Sequence, residues 1–193
     1  MDALGALGWA VVGAAVGCAL VGGVLFAFST FVMAGLRSVA PEVGAAAMAS
    51  INRHATKVPF GALLLVTTGL VAVLGVVAAI RLGDAGMPLV LAGAVVYLVG
   101  GIGVTAAVNV PLNDRLEAAD AAASTSGPRP GEASPSGGGS GRVAVRPASP
   151  TAERDRVWAQ FLGRWVAWNH VRTGACAAAA LLLTLGLVTH LVG

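Results

Sequence analysis

Apolar positions run almost without a break through four stretches of the chain, at about residues 7–36, 58–80, 88–110 and 166–192. Each is long enough, at about 1.5 Å per helical residue, to cross about 30 Å of hydrocarbon. Pro59 and Pro88 fall near the starts of the second and third stretches, where a helix tolerates proline. No Asp, Glu or Lys interrupts any of the four. The pattern predicts an all-α fold: a four-helix transmembrane bundle with a disordered cytoplasmic loop between the third and fourth helices. Residues 1–117 carry the first three spans, 118–153 the loop, and 154–193 an interfacial helix running into the fourth span, all as one domain.

Composition points the same way. Of 193 residues 56% are hydrophobic and only 11% charged, against about a quarter charged in a soluble domain. The expected partner is the lipid bilayer and the expected location the cell membrane, crossed several times. No Lys or Arg precedes the first stretch, and it is too long for the apolar core of a signal peptide, so it is expected to stay as a span.

Basic residues set the expected orientation. Arg37, Arg53 and Lys57 lie between spans one and two, and seven arginines from Arg115 to Arg164 lie between spans three and four, whereas the opposite side offers only Arg81. Positive charge favours the cytoplasm, so both termini are predicted to be extracytoplasmic. The connection at 118–153 is rich in Ala, Ser, Gly and Pro and lacks aromatics. It cannot bury enough apolar area to offset its ordering entropy, so it reads as disordered.

Downstream, Trp158, Phe161, Trp165, Trp168 and Arg172 recur at spacings of three and four, on one helical face. Tryptophans ahead of a span predict an interfacial belt. That belt does not account for the polar residues at the same depth. Span one ends with Ser29 and Thr30, and the first inner loop holds Asn52, Arg53 and His54. Asn109 and Asn113 flank Pro111, which is expected to end or kink the third helix. Span four opens with Asn169, His170, Arg172 and Thr173. All four spans thus deliver polar side chains to one end of the bundle. Such groups either bind something or lock helices together by interhelical hydrogen bonds, with Arg172 free to snorkel to headgroups.

Several classes lose support. Cys18 and Cys176 stand alone in apolar sequence, which suits small buried hydrophobes rather than a redox pair or zinc site. His54 and His170 lack a third ligand, so no metal is expected. No phosphate-binding loop or dense basic patch is present, so no nucleic acid is expected. The GxxxG pattern at Gly13 and Gly17 fits close helix packing.

The stretches "GVLFAFSTFVMAGL", "MASINRH", "NVPLNDRL" and "WVAWNHVRT", in this order on four spans, resemble the membrane proteins grouped with the fungal anthrone oxygenases. The resemblance covers the four spans and gives no support for 118–153. It implies a small four-helix membrane fold and, for some members, oxidation of a phenolic anthrone by molecular oxygen with no cofactor. An anthrone's benzylic carbon forms a stabilised carbanion that reacts with oxygen directly, so the protein need supply only a base and donors for the developing oxyanion. In that reading His170 or His54 is the base. Arg172, Asn169, Asn109 and Asn113 hold the oxyanion, Trp165 and Trp168 face a flat lipophilic aromatic substrate, and Asn52 and Ser29 complete the binding site. The alternative is a non-enzymatic scaffold or small-molecule binder.

Overall fold

The computed structural model describes residues 4–55, 57, 59–126 and 149–193. The first span is one rod of 33 residues: α1 (Gly5–Ala27), a π-helical turn (Phe28–Val32) and α2 (Met33–Arg37). After it comes α3 (Pro41–Ala55), then the second span, α4 (Phe60–Ile80). The third joins α5 (Met87–Val96) through π-helical segments at Tyr97–Gly103 and Thr105–Asn109 to α6 (Val110–Thr125). The fourth is a single helix of 43 residues, α7 (Pro150–Val192).

The spans pack in a ring, each against its neighbours in sequence, with the fourth closing on the first. This is the up-down arrangement that short antiparallel connections favour. Helices in lipid gain no hydrophobic drive toward each other, so close approach through small residues does the packing. A Cβ on Gly17 would run into Thr67 of α4, and one on Gly22 would meet Cys176 of α7 at 3.0 Å. Gly93 faces Ala179 in the same way. Gly86 caps α5 at φ +80°, where its backbone lies directly against Gly186. Cys18 and Cys176 are both buried as free thiols.

The spans differ in reach. The 21 residues of α4 cover about 31 Å, close to the hydrocarbon thickness. The third and fourth spans, at 39 and 43 residues, extend to about 58 and 65 Å. The excess lies at one end, and α3 stands there in place of the missing part of α4. Four helical pieces (α2, α3, α6 and the first half of α7) therefore build a second, shorter bundle on the membrane-spanning one. Its own core contains Met33, Met48, Leu116, Trp158, Phe161 and Trp165. The indoles and phenyl stack along α7, with ring centroids 5.8 and 5.7 Å apart.

Four expectations change. The first inner connection is mostly helix, because Gly44, Ala45, Met48 and Ala49 form a buried stripe beneath Trp158. Trp158 and Trp165 fill this second core instead of lying in a headgroup belt. The third helix does not end at Pro111: the π-helical turn at Thr105–Asn109 accommodates the missing N–H and the ring one turn upstream. Helix also reaches into the segment expected to be a loop, to Thr125 on one side and from Pro150 on the other. There Ser149 caps α7 by accepting from the Ala152 N–H at 3.3 Å. The centre of that segment, 127–148, lies outside the described residues.

Candidate functional site

A cavity of about 740 Å³ occupies the joint between the two bundles, where α3 gives way to α4 and the π-helical turns Phe28–Val32 and Thr105–Asn109 fall at the same level. π-Helical turns shift the side chains that follow them by about one position and recur at functional sites. Here they bring Phe28 from the first span and Thr105 and Asn109 from the third onto the cavity. Most of the lining is apolar, with Leu25, Met48, Ile51, Leu64 and Ile102 as representative walls.

The polar groups are few and differ in state. Asn109 is 1% exposed, and both its amide oxygen and its amide nitrogen lack a hydrogen-bond partner. A buried amide left this way costs about 1–3 kcal/mol per group unless a ligand completes it. Asn52 has the same lack at Nδ2. Arg172 is 6% exposed; its Nη1 donates to Asn169 Oδ1 at 3.0 Å, while its Nε has no partner. Among the described residues no carboxylate lies within 4 Å of it. It stands about 30 Å along α7 from Val192, a distance equal to the usual hydrocarbon thickness.

Asn169 is spoken for. Its Nδ2 donates to the Leu25 carbonyl and to Ser29 Oγ, both at 2.7 Å, which ties α7 to the first span at the π-helical turn. Asn113 accepts from Trp165 Nε1 at 2.9 Å and so fixes the indole beside Phe28, 6.2 Å away between centroids. His54 lies at the open side of the cavity with Nδ1 2.8 Å from the Ser50 carbonyl. A carbonyl only accepts, so Nδ1 carries a proton, and Nε2 is the nitrogen turned away from that bond.

Of the residues singled out from sequence, Asn52, His54, Asn109, Asn113, Trp165 and Arg172 line the cavity. Ser29 and Asn169 stand just behind it, bonded to each other. His170 and Trp168 do not reach it; both are exposed on the outer side of α7. At about 100° per residue, His170 lies some 160° around the helix from Arg172, so the two cannot face one cavity. The buried seam of α7 runs through Trp165, Asn169, Arg172 and Cys176, which puts Trp168 off the face. Thr68 and Tyr97 were not anticipated. Thr68 Oγ1 donates to the Leu64 carbonyl and lies 3.4 Å from the buried Tyr97 hydroxyl, which makes Tyr97 the donor of that longer contact. That Tyr97 is the sole tyrosine of the chain, deep in an apolar span, was the available signal. Among the described residues no three of His, Cys, Asp and Glu come together as metal ligands would.

A second cavity of about 500 Å³ adjoins the first through Asn52, Val110 and Asn113, and Arg53, Lys57, Asp114 and Glu117 give it a charged lining.

A family model described as anthrone oxygenase matches residues 48–182, which takes in every cavity residue except those of the first span. No curated protein and no solved structure matches the chain.

Proposed function

The chain belongs to the anthrone oxygenase family, and from that membership we propose that it is a cofactor-free oxygenase for a lipophilic aromatic or quinone-like molecule, held in the cavity at the inner leaflet. Arg172 carries this reading. A buried guanidinium with no carboxylate is costly in itself, and the cost falls when negative charge develops beside it. An anthrone that loses a benzylic proton places such a charge on its carbonyl oxygen.

The steps balance with dioxygen as the oxidant. His54 Nε2 takes the benzylic proton, and the electron pair spreads to the carbonyl oxygen, where Arg172 and Asn109 donate to it. The carbanionic carbon passes one electron to dioxygen, and the two radicals join in a C–O bond to give a peroxide. Once protonated, the peroxide loses the second benzylic hydrogen as its O–O bond breaks. One oxygen atom stays as the new carbonyl and the other leaves as water. Phe28 and Trp165 supply flat walls for the rings.

Oxygen uptake with an anthrone in proteoliposomes tests the proposal. Wild type should exceed spontaneous oxidation, and His54→Ala should lower kcat about 10²- to 10⁴-fold. No uptake above the protein-free rate would end the enzymatic reading. A non-enzymatic bundle locked by its asparagines draws support from Asn169, which is fully engaged between helices. The inner-leaflet placement follows from the basic residues near the cavity end. Reporter fusions should therefore score cytoplasmic within 127–148 and extracytoplasmic at the C-terminus, and the reverse would move the site to the outer leaflet.

A further inference from the structure

The second span contributes to the bundle unevenly. Its buried positions (Thr67, Val71, Leu74, Gly75 and Ala78) recur at helical spacing through the upper part of α4 and stop at Thr67. Between Phe60 and Val66 no residue is buried. In this stretch Gly61, Leu64 and Leu65 line the cavity, and the helix keeps its hold on the bundle through the partly buried Leu63 and Leu64. Leu65 is both a lining residue and 74% exposed on the outer surface. It lies five residues, about 7.5 Å, inside the start of a helix that matches the hydrocarbon thickness. The cavity edge at Leu65 therefore faces acyl chains, not water.

The polar side of the cavity differs. Its neighbour there is the charged cavity of Arg53, Lys57, Asp114 and Glu117, through which a fused aromatic hydrocarbon would pass only after giving up its solvation in lipid. About 25 cal/mol per Å² of apolar surface keeps such a molecule in the bilayer at nearly all times, so the apolar edge meets far more of it.

We infer that the cavity is loaded sideways from the bilayer, through a portal beside Leu65 in the lower half of α4, and that its ligands are planar aromatics dissolved in the membrane. The inference rests on the proposed function for the aromatic character of the ligand, but its test does not use turnover.

Anthracene dissolved in phosphatidylcholine vesicles that contain the protein is the probe. Binding is followed by the anisotropy of the anthracene's own emission after rapid mixing with probe-loaded vesicles. Leu65→Trp places bulk at the portal, on a side chain that is 74% exposed. Val73→Trp, on the same helix and 61% exposed but away from the cavity, is the control. Asp114→Trp obstructs the charged side. We expect Leu65→Trp to slow association at least tenfold with the equilibrium affinity changed less than twofold, and the other two to match wild type. Equal rates in Leu65→Trp and wild type, or slowing by Asp114→Trp instead, would overturn the portal, as would a wild type that binds no anthracene. If wild type binds and Leu65→Trp is slow while no oxygen is consumed with an anthrone, the portal stands and the oxygenase reading falls.

Discussion

The two ends of the membrane bundle are made from the same helices and packed by opposite rules. Around Gly86 and Gly186 the backbones touch, and a single methyl group would have nowhere to go. Around Asn109 and Arg172 the same spans stand apart far enough to leave about 740 Å³. At the packed end the side-chain link between spans is an exposed one, His190 Nδ1 at 3.1 Å from the Ala85 carbonyl. The open end carries buried polar atoms that nothing in the bundle completes. Asn169 divides the two behaviours, since it locks α7 to the first span on one side and holds Arg172 toward the cavity on the other. A polar residue at this level is therefore either a lock or a ligand group, and its hydrogen-bond partners tell which.

The contrast can be broken by substitution. Gly86→Val should be the most damaging change, because it combines a left-handed backbone with a Cβ driven into Gly186. Strain and overpacking of about 1–3 kcal/mol each should remove most folded protein in detergent, as size-exclusion recovery would record; normal recovery would show that the packed end is not tight. Asn169→Leu should cost less, about 1–3 kcal/mol, read as a lower melting temperature. Arg172→Gln should leave the melting temperature unchanged or raise it, since it removes a buried charge lacking a carboxylate, and should reduce oxygen uptake. A destabilised Arg172→Gln would mean that the guanidinium serves the bundle.

Much of this architecture was legible in the chain. The four spans follow from hydropathy alone, since 30 Å of lipid admits no other reading of such runs. The helix α3 was missed because its stripe is built from Gly44, Ala45 and Ala49, whose weak hydrophobicity is hidden beside Arg53 and Lys57. At the site, Asn109, Asn113 and Arg172 were recognisable as polar groups at apolar depth. Trp168 fits the spacing of three and four from Trp165 to Arg172 as well as Asn169 does, and His170 is its near neighbour, but a helix presents adjacent residues to different sides. Continuing the spacing outward to Cys176, Ala179 and Leu183 selects Asn169 over Trp168 and sets His170 aside. The cavity itself had no sequence signature, because it arises where α3 meets α4 and where two π-helical turns come level, and both are tertiary facts.

The most direct test sets Asn109 against Asn169 in one experiment. Asn109→Leu and Asn169→Leu are reconstituted side by side, and each is measured for thermal unfolding and for oxygen uptake with an anthrone. The account predicts that Asn109→Leu melts within about 0.5 kcal/mol of wild type or above it, because both its amide atoms are unpartnered, yet loses turnover about tenfold or more. Asn169→Leu should lose stability first. If Asn109→Leu instead unfolds early and the protein that remains folded turns over at the wild-type rate, Asn109 is a structural lock, and the cavity is not the site described here.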